Sequence, residues 1–135
     1  MECVFCKISN DELPSELVYS DDKAIAFLDI EPLTRGHAMI IPRRHVKTIG
    51  ELSDEEASGL MPVVKRVIRK IEQALQPDGF TIGVNHNVGQ AVPHLHIHVI
   101  PRWFDDGVAD VHSIVKNPPQ ENIHDTAAKI REAEG

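Results

Sequence analysis

VPHLHIHVIP, Val92 to Pro101, sets three histidines in alternation with three aliphatic residues and stops at a proline. Alternation with a period of two marks a strand that buries one face. On an extended chain, residues two apart share a face and stand about 6.6–6.8 Å from each other. Leu95, Ile97 and Val99 are therefore expected in the core, with His94, His96 and His98 along the opposite side. The outer pair would lie roughly 13 Å apart at that spacing. Zinc bonds nitrogen at about 2.0–2.1 Å, so one ion cannot hold all three imidazoles of a regular strand. Neighbouring members could share an ion; the full set could not, and the three are expected to divide their labour. Three imidazoles in succession offer no packing advantage over threonine or valine. That leaves a metal pair completed from elsewhere, or imidazole as nucleophile or general acid–base, ahead of a merely solvated face.

Reading outward, ELVYSDDKAIAFLDI (16–30) forms two short strands, Leu17–Tyr19 and Ala24–Leu28, joined at Ser20-Asp21-Asp22. HAMIIP (37–42) is apolar throughout, which suits a central strand, and Pro42 ends it. The long helix runs from Ser53 to Gln76. Ser53 and Glu56 have capping-box spacing, and Leu60, Val64, Val67, Ile68, Ile71 and Leu75 trace one apolar face. Pro62 removes one hydrogen bond and is expected to kink the first turns; Pro77-Asp78-Gly79 stops the helix. FTIGVNH (80–86) supplies a fourth strand, PHLHIHVIP (93–101) a fifth, and ENIHDTAAKIREAE (121–134) a short C-terminal helix. The fold class is α+β: an antiparallel sheet of about five strands covered by one long helix.

A chain of 135 residues suits one domain. Its formal charge of -7 argues against a general nucleic-acid partner. No apolar run approaches the roughly 18 residues of a membrane span, and MECVFCKISN lacks the basic-then-apolar form of a signal peptide. A cytoplasmic location is the expectation. Cys3 and Cys6 are too few for a disulfide framework, and Cys-x-x-Cys in a reducing compartment points to metal binding or redox chemistry.

HLHIHVI resembles the His-φ-His-φ-His-φ-φ signature of the histidine-triad (HIT) family of nucleotidyl hydrolases and transferases. FLDIEPLTRGHAMIIPRRH (27–45) resembles the family's central block. NHNVGQAVPH (85–94) resembles the loop before the triad, and CVFCKI (3–8) the opening of many prokaryotic members. The resemblance covers roughly residues 3 to 103. It implies a HIT domain over 1–104, followed by a C-terminal extension over 105–135 that carries the short helix.

The resemblance makes His96 the nucleophile that attacks the α-phosphorus and forms a nucleotidyl-histidine, which water then hydrolyses. A neutral imidazole can do this near pH 7 without a strong base. Its other nitrogen needs an acceptor, for which the resemblance implies a backbone carbonyl at His37. His98 would contact the phosphate and stabilise charge on its oxygens. Gly89 permits close backbone approach, Gln90 can donate from its amide, and Asn85 would lie at the phosphate or ribose edge, or form a turn. Asp29 would take the ribose hydroxyls; Phe27 and Ile30 would form the apolar slot for the base, or are plain core residues.

Two departures stand out. Only His86-Asn87-Val88 separate Asn85 from Gly89, a shorter loop than usual that brings a further imidazole near the site. Ala91, which would line the nucleotide site, replaces the serine or threonine of several hydrolytic members. A hydroxyl that could assist the leaving group is therefore missing.

Prokaryotic members with this N-terminus complete a structural zinc site with two histidines, which here match His45 and His94; free thiols are the alternative. No catalytic cofactor is implied. The expected substrates are dinucleoside polyphosphates or nucleoside phosphoramidates, with adenosine the favoured base on resemblance. The chain is expected to form a homodimer, with Trp103 at the interface. Arg43, Arg44, Lys47 and Arg102 form a local basic cluster suited to a polyphosphate tail. The competing functions are a nucleotide-binding regulator with weak catalysis, and a metalloenzyme using His96 and His98 as ligands.

Overall fold

The structure is a computed structural model that describes residues 3–107 and 109–135. Strands β1 (Leu17–Ser20), β2 (Ala24–Leu28), β3 (Ala38–Pro42), β4 (Gly79–Gly83) and β5 (Ile97–Arg102) form one sheet in the order β1-β2-β3-β5-β4. Every neighbouring pair is antiparallel. Helices α1 (Val4–Ser9), α2 (Asp54–Leu75) and α3 (Ile123–Glu132) complete the chain. The expected α+β architecture is the observed one.

Period-two alternation sorts the side chains of the central strands onto two faces. Ala24, Ala26, Ala38, Ile40 and Val99 pack with Leu60, Val63, Val64, Val67 and Ile71 of α2. Ile25, Phe27, Met39 and Ile41 point the other way and close over Cys3 and Phe5, around α1. β2 and β3 are thus buried on both sides, which is why their sequences read as nearly unbroken apolar runs.

Helix α2 begins as its capping box dictates. Ser53 Oγ accepts the Glu56 amide at 3.0 Å, and the Glu56 carboxylate accepts the Ser53 amide at 2.8 Å. The helix continues through Pro62 without a break. Pro62 and Ser58, whose carbonyl loses its usual donor there, both lie on the exposed side, so water can take the missing bond.

Two strands are shorter than their sequence pattern. β4 ends at Gly83, so Val84–His86 leave the sheet; β5 begins at Ile97, not at Pro93. The ladder partners stop at Gly83↔His98 and Ile40↔Ile97. Before that point the backbone bonds elsewhere: the His94 amide to the Val92 carbonyl at 2.8 Å, and the Leu95 amide to the Val46 carbonyl at 2.7 Å. His94 and His96 consequently stand outside the regular strand.

The turn that delivers His37 to the start of β3 depends on Gly36. Its φ is +86°, and a Cβ there would come within 2.5 Å of Leu75 Cδ1 and 3.3 Å of Pro101 Cγ. Only glycine fits without displacement.

Candidate active site and metal centre

The rings of His37, His96 and His98 converge on the α1 side of the sheet. The His96 and His98 centroids are 5.1 Å apart, as are those of His37 and His98. Because the chain bends before Ile97, the imidazoles do not form the evenly spaced row of a straight strand. His94 turns away to the cysteines, and Phe5 packs against both it and His96, with centroids 6.1 and 5.1 Å away.

The hydrogen bonds assign a tautomer to each ring. His96 Nδ1 lies 2.7 Å from the His94 carbonyl oxygen. A carbonyl only accepts, so Nδ1 carries the hydrogen and Nε2 the lone pair. That Nε2 has no hydrogen-bond partner, yet no buried side-chain nitrogen or oxygen among the described residues lacks one. It therefore opens to solvent, although His96 as a whole is only 6% exposed. The carbonyl that orients this ring belongs to His94, not to His37 as the resemblance implied. His37's own carbonyl is already occupied by the Asp29 amide, at 2.9 Å.

A second chain runs through the other two rings. The Leu33 amide donates to His37 Nδ1 at 3.1 Å, so His37 holds its proton on Nε2. Nε2 lies 2.9 Å from His98 Nδ1 and donates to it, leaving the His98 proton on Nε2. The site thus presents a lone pair on His96 beside an N–H on His98. Burial lowers the pKa of His37 despite Asp29, whose Oδ2 lies 3.6 Å from Nε2. Burial, followed by the neighbouring His96 and His37, lowers that of His98. Both rings are neutral at pH 7.

The loop before the triad is tied down by its glutamine. Gln90 Oε1 accepts the Asn87 amide at 3.1 Å, and Nε2 donates to the Lys47 carbonyl at 2.8 Å. Asn87 (φ 66°) and Gly89 (φ 77°) take left-handed conformations that let the backbone turn tightly. Asn85 packs its side-chain amide against Gly89, 3.7 Å from where a Cβ would sit. Ala91 and His86 are exposed. Asp29 Oδ1 accepts the Glu31 amide at 2.9 Å. Phe27 is buried against Phe5, with centroids 5.4 Å apart, whereas Ile30 is 94% exposed and belongs to no core.

Three members of the expected basic cluster are engaged within the chain. Arg43 donates to the Ser9 and Asp21 carbonyls and to Ser20 Oγ. Arg44 grips Glu56 with two bonds, and Arg102 does the same with Asp106. These guanidiniums fasten the chain to itself.

On the far side of Phe5, four potential ligands meet. Cys3 Sγ lies 3.4 Å from His94 Nδ1, and Cys6 Sγ lies 3.3 Å from His45 Nδ1 and 3.5 Å from His94 Nδ1. All four ligand atoms fall within 4.8 Å of one another. A tetrahedral zinc with ordinary bond lengths has sulfur–nitrogen edges of about 3.5–3.6 Å, close to those observed. His94 Nε2 is bound to the Pro42 carbonyl at 2.8 Å, which puts its proton there and aims the Nδ1 lone pair at the thiols. The Cys6 amide donates to Cys3 Sγ at 3.3 Å. Burial first, then the adjacent Cys3, pushes the Cys6 thiol up to about 11. These residues can hold a metal ion.

The HIT domain model matches residues 10–105. The chain belongs to the HIT family. A solved HIT-family protein of Bacillus subtilis superposes with a TM-score of 0.87 at 32% identity, covering 100% of this chain and 99% of the other. The adenosine 5′-monophosphoramidase hnt1 of Schizosaccharomyces pombe is 36% identical over 104 residues, 76% of this chain and 75% of the yeast protein. A zinc-bound histidine triad family protein of Mycobacterium smegmatis matches with a TM-score of 0.75 at 31% identity, covering 99% of each chain.

In this HIT chain, His37, His96 and His98 come together with Asp29, while Cys3, Cys6, His45 and His94 form the separate cluster. Sequence reasoning missed Phe5, the Val46 carbonyl and the Leu33 amide. The spacing CVFC does place Phe5 between the cysteines; the two backbone groups leave no trace in a sequence.

Proposed function

We propose that this chain is a hydrolase that transfers the nucleotidyl group of a nucleoside 5′-phosphate derivative to water, through a covalent adduct on His96. The observation that carries this is the paired tautomers: an outward lone pair on His96 Nε2 beside an N–H on His98 Nε2. The His96 electron pair forms the N–P bond as the bond from phosphorus to the leaving group breaks. The imidazolium that results keeps its Nδ1–H on the His94 carbonyl, which stabilises the new positive charge. His98 donates to a phosphate oxygen and offsets the charge developing there. Water then attacks phosphorus, the N–P electron pair returns to His96, and the proton of the water passes to solvent.

Asp29 takes the ribose hydroxyls, with Phe27 and Ile30 toward the base. Asn85, Gly89, Gln90 and Ala91 line the phosphate side, and His37 acts by orienting His98. Adenosine is the favoured base and a phosphoramidate or dinucleoside polyphosphate the favoured substrate; the name of the fission-yeast relative supports adenosine and the phosphoramidate. Cys3, Cys6, His45 and His94 would hold a structural zinc ion, in keeping with the zinc-bound mycobacterial neighbour. Zinc would supply a fixed link between the N-terminus and the triad segment.

The HIT domain spans 1–104, with the extension over 105–135. Phe104 at the end of the domain and Ile114, Val115, Ile123 and Ile130 of the extension are exposed, which supports their burial in a homodimer. No helix among the described residues is long and apolar enough to cross a membrane; the proposed location is the cytoplasm.

Asp29, His37 and His98 present potential ligand atoms within 4.8 Å of one another, but a metal on His98 Nε2 fits poorly. Coordination through Nε2 would move the His98 proton to Nδ1 and the His37 proton to its Nδ1, where it would face the Leu33 amide donor to donor.

The test is His96→Ala and His96→Asn assayed on adenosine 5′-phosphoramidate, together with mass spectrometry of acid-quenched wild-type protein. Turnover is expected to vanish while nucleotide binding stays measurable, and an AMP adduct should map to His96. Full activity in either variant removes His96 from its role. Binding with no adduct and no turnover in the wild type favours the regulator instead, a function for which Ala91, lacking a hydroxyl, is well suited.

A further inference from the structure

The segment that carries the nucleophile has no place in the sheet. Residues 94–96 precede the first ladder pair of β5, so no strand hydrogen bonds fix them. Their position is set instead by groups that adjoin the four metal-site residues. Phe5, between Cys3 and Cys6, lies edge-to-face against the rings of His94 and His96, at interplanar angles of 69° and 87°. Val46, next to His45, gives its carbonyl to the Leu95 amide at 2.7 Å. His94 itself gives its carbonyl to His96 Nδ1 at 2.7 Å while its ring faces the thiols. Cys6, His45 and His94 thus adjoin or carry a group that holds 94–96, and Cys3 lies one residue further from Phe5.

We infer that the Cys3–Cys6–His45–His94 centre positions the nucleophile, acting through the Phe5 ring, the Val46 carbonyl and the His94 carbonyl. This rests on the proposed roles of His96 and of the metal ligands. A clamp that only pins the N-terminus would affect stability and leave the orientation of His96 alone. The centre described here also fixes the Nδ1–H form of His96, and with it the direction of the Nε2 lone pair. Phe5 is accordingly a positioning residue; it has no proton to transfer and packs perpendicular to the ring that reacts.

The experiment uses the full chain loaded with zinc, in wild-type, Phe5→Leu and His45→Asn forms, with Ile25→Val as a packing control in the same apolar cluster. Zinc content, melting temperature, kcat and KM are measured for each, and long-range proton–nitrogen NMR spectra report the tautomer of His96. In Phe5→Leu, zinc is expected to remain bound while kcat falls at least about tenfold, the scale of outer-shell changes around metal sites. KM should stay within about twofold, and the His96 signals should move from one tautomer toward a mixture. His45→Asn should lower zinc content and show the same His96 change; Ile25→Val should show neither.

If Phe5→Leu keeps both kcat and the single-tautomer spectrum, the positioning role is overturned. The same holds if zinc-free His45→Asn keeps them, even where its melting temperature drops. Should His45→Asn fail to fold, the zinc-retaining Phe5→Leu protein decides the matter alone. Failure of the underlying roles has different signs: a wild-type chain that binds no zinc, or His96→Ala that still turns over.

Discussion

Replacing Gly36 by alanine tests whether the turn before His37 is as tightly constrained as its geometry implies. At φ +86° an alanine is strained, which costs about 1–3 kcal/mol. The new methyl would also sit 2.5 Å from Leu75 Cδ1 and 3.3 Å from Pro101 Cγ. Leu75 can swing aside, but Pro101 lies in β5 and cannot, so overpacking adds about 1–3 kcal/mol. Reduced freedom of the unfolded chain returns about 0.4–1 kcal/mol. The net loss is about 1–6 kcal/mol. With an unfolding entropy near 2.1 cal/mol/K per residue, a chain of this length should melt roughly 4–20 °C lower. Gly59, with no atom within 4 Å of its would-be Cβ and a place inside α2, supplies the opposite case. Gly59→Ala should raise the melting temperature by about 2–4 °C through helix propensity. Differential scanning calorimetry of the three proteins checks both signs. A Gly36→Ala protein that melts within about 2 °C of wild type would refute the reasoning.

Acid should weaken the protein and slow it together. Burial holds His37 and His98 below the usual histidine value of 6.5, so the stability of their neutral forms is complete above that pH. It is lost as pH falls through the folded-state pKa values, because the unfolded chain takes protons the folded one refuses. Urea midpoints at about pH 7.5 and about pH 5.5 should differ in that direction, and turnover should show an acid limb over the same window; an unchanged midpoint counts against it. Arg43→Ala should cost about 2–4 kcal/mol, since it removes charged bonds to the Ser9 and Asp21 carbonyls and to Ser20 Oγ that join α1, the β1–β2 turn and β3. A urea titration showing under about 1 kcal/mol would mean water replaces those bonds freely.

The strands and the long helix were legible because apolar periodicity and caps are local. AIAFL, AMIIP and the Ser53–Glu56 box state their own structure. What escaped was set by partners distant in sequence. Alternation around His94 and His96 reads as strand whichever backbone bonds form, yet Leu95 finds the Val46 carbonyl and not a ladder neighbour. The carbonyl assigned to His37 proved to be that of His94, because Asp29 claims the former. Arg44 and Arg102 looked available until Glu56 and Asp106 folded against them. Residue types thus pointed to the chemistry, while the main-chain groups that aim it became visible only in three dimensions.

The row of imidazoles from His98 back to His37 ends on the amide of Leu33. A peptide nitrogen does not surrender its hydrogen at any physiological acidity, so the Leu33 end cannot refill the line. The row can point, but it cannot pump. Any hydrogen that departs from the front of His98 has to be made good from the solvent-facing side, which ties recovery between turnovers to how readily water re-enters once product has left.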